Sequence, residues 1–124
     1  KQFIIFNHDA LEMYRSVYIC EGALNALTIG DRGIATMGKA ISGYQVNELL
    51  KSSCERFIIL LDPDAKKYAI NLALKLVAYK KVKVVFLPEG KDVNDLGRKE
   101  TLRLVYQTRY QSYQDLIQIR NSLE

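Results

Sequence analysis

Two aspartates separated by one proline close an apolar stretch of this 124-residue chain. Residues 57–61 are all apolar, and Asp62, Pro63 and Asp64 follow them directly. In an extended segment, side chains at positions i and i+2 point to the same side, so both carboxylates can face one cation or two neighbouring cations. Proline restricts the backbone between them and lowers the entropy lost when the pair is held in place. The stretch therefore predicts a cation site.

Further acidic residues follow two other apolar runs. Glu21 comes directly after residues 17–20, and Asp92 lies a few residues beyond residues 82–87. If these runs are parallel strands, their carboxyl ends meet at one edge of a sheet, where open α/β folds bind ligands. Oxygen ligands without accompanying His or Cys favour Mg²⁺ or Mn²⁺ over zinc. The candidate metal ligands are Glu21, Asp62, Asp64, Asp92, Asn94 and Asp95.

Each acidic cluster has a simpler explanation when it is taken alone. An Asp after a strand is commonly a turn residue or a helix cap, and Asp64 is placed to cap the helix that follows it. Glu21 alone fits a solvated loop. The coincidence of three clusters at equivalent strand ends is harder to explain by turns, and it favours the cation site.

Apolar periodicity predicts the elements that must position these residues. Strands are expected at residues 17–20, 34–37, 56–61 and 82–87, and helices at 23–33, 43–53, 66–79 and 101–123. Residues 3–6 fit a short strand or an extended lead-in. The apolar residues of the strand at 56–61 do not alternate with polar ones, so both of its faces should be covered, as in a parallel sheet. Alternating strands and helices predict an open α/β sandwich with right-handed crossovers.

Composition sets outer limits on function. The chain is 48% hydrophobic and 26% charged, which suits one domain with a real core. Its net charge of +4 permits an anionic partner such as nucleic acid without establishing one. No signal-peptide pattern or membrane-length apolar run occurs, and Cys20 and Cys54 lack metal-site spacing. We expect buried thiols in a reducing, cytoplasmic setting.

Three segments together carry a family resemblance. They are VYICEGALNAL, FIILLDPDAKKYAINLAL and VVFLPEGKDVNDL. In this order they resemble the TOPRIM domain of DnaG-type primases, topoisomerases and some nucleases, over residues 16–98. The primase branch is the most similar, because GIATMGKAIS follows Glu21-Gly22 and because Pro88, Gly90 and Asp92 match its Pro-x-Gly-x-Asp ending.

The resemblance implies a fold and a division of the chain. The fold is a Rossmann-like, three-layer α/β sandwich with a central, mainly parallel sheet of about four strands, flanked by helices and followed by a C-terminal helix. Residues 1–15 would lead in from a preceding subdomain, 16–98 would form the TOPRIM domain, and 99–124 a helical extension. Because the chain lacks an initiating Met, we expect it to be a fragment of a longer enzyme.

The resemblance also implies an activity. A primase of phage or bacterial type makes RNA primers on single-stranded DNA from nucleoside triphosphates, by nucleotidyl transfer that depends on a divalent metal ion. A replicative helicase would be its partner, in cis or in trans. Glu21, Asp62 and Asp64 would be catalytic, with Glu21 acting as metal ligand or general base, and Gly22 would allow a tight turn beside the metals.

Basic and aromatic residues are candidates for contacts with nucleotides or nucleic acid. The lysines near the predicted site are Lys39, Lys66, Lys67 and Lys91. Lys83 and its neighbours are expected at a solvated strand edge. In the C-terminal helical stripe, Tyr106, Tyr110 and Tyr113 fit either base stacking or packing, and the apolar spacing favours packing.

Two positions depart from the primase pattern, which commonly has Asp where Asn25 and Asn94 stand. An amide still offers one oxygen but no charge, so metal affinity would fall or Asp95 would replace position 94. Two alternatives stay open at this point. One keeps the fold but makes it a nuclease or a topoisomerase-type domain, and the other is a non-catalytic, receiver-like α/β domain.

Overall fold

The computed structural model describes residues 3–124. Four parallel strands form the centre of the fold. They are β1 (Ser16–Cys20), β2 (Gly33–Ala35), β3 (Arg56–Ile59) and β4 (Lys81–Val84), in the order β2-β1-β3-β4. The two central strands, β1 and β3, are neighbours, and every pairing in the sheet is parallel. Four strands were predicted, and all four form, although each ends before or near the predicted boundary.

Helices cover both faces of this sheet and make three layers. The helices are α1 (Ala10–Met13), α2 (Ala23–Ile29), α3 (Gly43–Lys51), α4 (Lys66–Leu76), α5 (Val93–Leu96), α6 (Arg98–Gln107) and α7 (Tyr113–Ser122). Buried residues of α2, α5 and α6 share one core, and those of α1, α3, α4 and α7 share the other. The predicted three-layer sandwich is confirmed. Within residues 3–124 there is no helix with the length and apolar character needed to span a bilayer.

Alternation along the central strands divides their side chains between the two cores. Phe57 and Ile59 belong to the core beneath α3 and α4, whereas Ile58 and Leu60 belong to the core beneath α2. Because both faces are buried, residues 57–61 are apolar at every position, which is the pattern that predicted a parallel sheet. Cys20 is a fully buried free thiol, as expected, and burial raises its pKa to about 12.

The outer edge of β2 is covered by the start of the described chain. Phe6 forms an isolated antiparallel bridge with Ala35, so residues 3–6 are an extended lead-in that makes one ladder contact. The Asn7 side chain donates to the carbonyls of Asp31 and Gly33. These bonds satisfy backbone groups that an open edge strand would otherwise present to other chains.

The C-terminal part contradicts the prediction of one continuous helix over residues 101–123. It breaks between α6 and α7, where Gln111 lies beside the outer edge of β4. The backbone N–H of Gln111 donates to the carbonyl of Val82, and its side chain accepts from the N–H of Val84 and donates to the carbonyl of Val84. The helix stops because the backbone groups at the edge of β4 need hydrogen-bond partners. This requirement comes from the tertiary structure, and the apolar spacing of residues 101–123 does not predict it.

Lys83 was expected in solvent, and the structure buries it instead. Only 7% of the residue is exposed, and its ammonium group donates to the carbonyls of Val105 and Thr108 at the end of α6. Burial lowers the pKa of Lys83. Tyr106 and Tyr113 do not pack against the domain, because both rings are largely exposed while other residues of the stripe are buried; packing against a partner helix stays a prediction.

Gly33 provides a testable requirement of the fold at the start of β2. A Cβ added there would lie 2.3 Å from the carbonyl oxygen of Ala26 and 2.5 Å from Cγ2 of Ile29. We expect Gly33→Ala to lower the free energy of unfolding by about 1–3 kcal/mol, because α2 must move away from the sheet. Gly43→Ala is the matched control, since a Cβ at Gly43 meets no atom within 4 Å. Urea unfolding followed by circular dichroism measures both, and equal stability of the two variants would contradict the prediction.

Candidate metal centre

The acidic residues lie where the crossovers of the sheet diverge. From β1 the chain moves to β2 on one side, and it then crosses back to β3 and β4 on the other. The carboxyl ends of β1 and β3 are therefore adjacent with no connection between them, which is the usual position of a ligand site in an open α/β sheet. Glu21 follows β1 directly, and Asp62 follows β3 after two further buried residues.

Three of the predicted residues converge at this crevice. One carboxylate oxygen from each of Glu21, Asp62 and Asp64 lies within 4.8 Å of the other two. We predicted that Asp62 and Asp64 would face the same side because residues 62–64 would be extended. The two carboxylates do come together, but the backbone conformation that brings them together is different. Asp62 is extended, and a short 3-10 turn over Pro63–Ala65 then brings Asp64 back towards it. Asp64 was also predicted to cap α4; this is wrong, because Ala65 occupies the cap position without a side-chain hydrogen bond.

These carboxylates repel one another, and the surrounding protein compensates only in part. Burial raises the pKa of Glu21, and the charges of Asp62 and Asp64 raise it further, while Lys39 opposes the rise. Burial also raises the pKa of Asp62, with additional contributions from Asp92, Asp64 and Asp95. Both groups are therefore harder to ionise in the folded chain than in water, as expected for like charges gathered in a crevice.

An unpartnered oxygen supports a cation at this position. Within residues 3–124, Oε1 of Glu21 is the one buried side-chain oxygen or nitrogen atom without a hydrogen-bond partner. Buried polar atoms are nearly always paired in folded proteins, so such an atom requires an explanation. A set of carboxylate oxygens that includes an unpaired one fits a hard divalent cation. The donor set present in the structure therefore fits the divalent metal that the acidic clusters predicted.

Asp62 lies between two clefts. One, of about 380 Å³, is also lined by Asp64, Lys91, Asp92 and Asp95. The other, of about 320 Å³, is lined by Glu21, Gly22, Asn25, Met37, Gly38 and Asp62. Sites for small ligands typically occupy roughly 300–1,000 Å³, so either cleft is large enough for a small ligand.

Asp92 and Asp95 have two roles. They form a reciprocal capping box on α5, in which Oδ1 of Asp92 accepts from the N–H of Asp95 at 2.8 Å and Oδ2 of Asp95 accepts from the N–H of Asp92 at 3.0 Å. The simple explanation of this cluster as a helix cap is thus correct. The same two residues line the larger cleft, so the cap also fixes acidic side chains beside Asp62.

The amide of Asn25 connects two of the acidic segments. Asn25 is buried, its Oδ1 accepts from the backbone N–H of Asn94 at 3.0 Å, and its Nδ2 lies 3.5 Å from Oδ1 of Asp62. A carboxylate at position 25 would lack the donor that faces Asp62. The side chain of Asn94 accepts from the Thr28 hydroxyl at 3.2 Å, and Asn94 is not among the residues that line the two clefts, so its role as a metal ligand stays a prediction.

A loop within the segment GIATMGKAIS supports Glu21. The N–H of Gly38 donates to the carbonyl of Glu21, and the hydroxyl of Thr36 donates to the carbonyl of Gly38. Met37 between them has a φ of 65°, a left-handed conformation that costs a non-glycine residue about 1–2 kcal/mol. Gly22, by contrast, lies at a bend with ordinary extended φ and ψ and open space around it, so the chain turns there without requiring a glycine.

The four candidate lysines have different surroundings. Lys66 pairs with Glu89 at 3.0 Å, and Lys91 lines the larger cleft. Lys39 lies 5.7 Å from the centre of the Tyr68 ring and close enough to Glu21 to lower the pKa of that carboxyl. Lys67 is exposed on α4, and among the residues described it is not part of the lining of either cleft.

Comparison with known proteins identifies the family. Residues 18–97 match the Toprim-like family. The chain belongs to the Toprim-like family. Over 112 residues, 83% of this chain, it is 27% identical to a DNA primase from Lactococcus lactis, and it spans 17% of that protein's length. The receiver-like alternative is therefore not supported for this Toprim-like chain.

Solved structures support the same fold. The chain superimposes on the E. coli primase catalytic core with a TM-score of 0.73 and 18% identity, covering 99% of this chain and 44% of that one. A second structure, described as the DnaG catalytic core, gives a TM-score of 0.67 and 16% identity over 88% of this chain and 40% of that one. The TOPRIM fold predicted from the motifs is thereby confirmed.

Asn25→Asp tests the role of the buried amide. The variant adds a carboxylate beside Asp62 and removes the donor, so we expect metal-free stability to fall by about 1–3 kcal/mol. Mn²⁺ should restore more stability to the variant than to the parent chain, because the added charge favours the cation. Thermal unfolding with EDTA and with Mn²⁺ measures both effects. Exposed Asn47→Asp is the control, and an Asn25→Asp chain as stable as this control in EDTA would contradict the prediction.

Asp62→Asn tests the electrostatic cost of the cluster. The pKa of Asp62 is raised in the folded chain, so its unfavourable contribution is absent below the unfolded pKa of about 4 and grows as pH rises through the folded pKa. In EDTA, we expect the variant to raise Tm by a few degrees near pH 7.5 and to change it much less near pH 4. Exposed Asp9→Asn is the control. A lower Tm for Asp62→Asn at pH 7.5 would refute the repulsion.

Proposed function

We propose that this chain is the catalytic TOPRIM part of a DNA primase that makes RNA primers on single-stranded DNA. The observation that supports this most is the convergence of Glu21, Asp62 and Asp64 at the crevice between β1 and β3, with one Glu21 oxygen buried and unpaired. The similarity to a DNA primase and to primase catalytic cores favours this reaction over others that use the same fold.

The proposed cofactor is Mg²⁺ or Mn²⁺, held by Glu21, Asp62 and Asp64 with help from Asp92 and Asp95. When bound, the metal would polarise the phosphates of the incoming nucleotide and favour ionisation of the attacking 3′-hydroxyl. Glu21 would either coordinate through its unpaired oxygen or accept the proton of that hydroxyl. Burial and the charges of Asp62 and Asp64 raise the pKa of Glu21, which makes its carboxylate a stronger proton acceptor.

The lysines would hold the nucleotide phosphates around the acidic cluster. Lys91 already lines the larger cleft, and Lys66 is held at the same cleft by Glu89, whose side chain is 80% exposed. An exposed ion pair contributes little stability, so Lys66 can exchange Glu89 for a phosphate at low cost. Lys39 approaches from the side of Glu21. Lys67 would contribute only long-range attraction.

The remaining features of the proposal follow from the primase resemblance. They are nucleoside triphosphates and a single-stranded DNA template as substrates, a replicative helicase as partner, a cytoplasmic location, and a phage or bacterial source. A nuclease or topoisomerase-type reaction would use the same acidic cluster on a phosphodiester, so the decisive experiment must report which reaction occurs.

Primer synthesis by the full-length protein tests the proposal. Asp62→Asn with Asp64→Asn should reduce primer synthesis by more than the roughly 10- to 100-fold typical of changes around a metal site, because two ligands are lost. Mn²⁺ binding to the same variant, followed by electron paramagnetic resonance, should weaken in parallel. Exposed Asp9→Asn and Glu55→Gln are the controls and should keep parental activity.

Two results would refute the primase assignment. One is primer synthesis at the parental rate in the double variant. The other is metal-dependent cleavage of DNA, without primer synthesis, by the parental full-length protein; this would instead identify the nuclease. Both measurements require only native single-stranded DNA, nucleoside triphosphates and Mg²⁺ or Mn²⁺.

A further inference from the structure

A separate cavity lies at the end of the sheet opposite the acidic residues. It encloses about 360 Å³ next to the amino ends of β1 and β2. Its aromatic and charged lining residues are Tyr14, Tyr18, Tyr106, Arg32, Arg98 and Asp31. The proposed primase mechanism uses none of these residues.

Two guanidinium groups in this cavity lack acidic partners. Arg32 lies over the ring of Tyr14 at 5.0 Å, and Nε of Arg98 donates to the carbonyl of Ile29 at 3.0 Å. In the part of the chain that the structure describes, neither forms an ion pair. Asp31 is the one acid in the lining, so the lining keeps a net positive charge. Guanidinium groups without carboxylate partners are well suited to a phosphate, which they can bind through paired hydrogen bonds.

Tyrosines supply the rest of the lining. Burial raises the pKa of Tyr18, and the hydroxyl groups of Tyr106 and Tyr110 raise it further. The positive charge of Arg32 has the opposite effect and lowers it. The phenol groups of Tyr18 and Tyr106 line the same cavity as the two guanidinium groups. Tyr106 is 79% exposed, so one face of its ring is free for a planar ligand. Aromatic rings beside arginines form the usual binding surface for an unpaired nucleotide.

We propose that this cavity binds one nucleotide unit, with its phosphate at Arg32 and Arg98 and its base against Tyr106. A free mononucleotide and one unit of a single-stranded nucleic acid share this chemistry, and the test distinguishes them. The site is independent of the proposed metal centre. Without a divalent cation, the acidic cluster repels phosphate, so binding measured in EDTA reports on this cavity.

The test measures binding of two probes to the chain in EDTA. Adenosine monophosphate represents the free nucleotide, and a short single-stranded oligodeoxyadenylate represents the strand. Tyrosine fluorescence is a direct readout, because the chain has eight tyrosines and no tryptophan, and a base stacked on tyrosine quenches it. We expect Arg32→Ala and Tyr106→Ala each to weaken binding by about tenfold.

Matched controls separate this cavity from general charge and surface effects. Tyr79→Ala removes a ring that lies just after α4 and is 77% exposed. Arg120→Ala removes an exposed positive charge on α7. Both should leave affinity within about twofold of the parent. Asp31→Asn should tighten binding, since it removes the one negative charge of the lining. Thermal unfolding of each variant verifies that it is folded.

The outcomes are distinct. Tenfold weakening for both probes supports a site for free nucleotides, and weakening for the oligonucleotide alone supports a site for a unit of a strand. The proposal is overturned if neither probe binds, or if the cavity variants bind with the same affinity as their controls. Because binding in EDTA requires no metal ion and no primer synthesis, failure of the primase assignment leaves this result unaffected.

Discussion

Mutual repulsion among carboxylates at the crevice between β1 and β3 is the constraint on which the rest of this structure depends. Glu21, Asp62 and Asp64 place oxygens within 4.8 Å of one another; burial raises the pKa of Glu21 and Asp62, and the neighbouring carboxylates raise it further. Such an arrangement persists only if the surrounding backbone prevents the groups from separating. β1 and β3 provide this restraint, because both are central strands with both faces buried.

Local hydrogen bonds refine the position of each acidic group without neutralising it. The capping box of α5 holds Asp92 and Asp95 beside the cleft, and the loop at Met37 holds the backbone of Glu21. Asn25 joins Asp62 to the start of α5. Its amide can donate to one partner and accept from the other, whereas a carboxylate can only accept. This set of oxygens fits a divalent cation.

The two ends of the sheet have opposite chemical character. Carboxylates gather at the carboxyl ends of β1 and β3, while arginines and tyrosines gather at the amino ends of β1 and β2. α6 contributes to the second group, and Lys83 fixes the end of that helix through the carbonyls of Val105 and Thr108. A buried lysine with satisfied carbonyl partners thus helps to position exposed aromatic residues far from the acidic site.

The sequence alone determined the strands, their parallel arrangement, the acidic positions and the family resemblance. Uninterrupted apolar runs and residues at strand ends are local signals, and they survive folding because burial and sheet geometry act on them directly. The tertiary structure decided the remainder. The break at Gln111 arises from the open edge of β4, the burial of Lys83 from unpaired carbonyls of α6, and the bridging role of Asn25 from residues distant in sequence. Each of these three features depends on which groups lack hydrogen-bond partners once the layers have packed. No local sequence pattern predicts which groups those are.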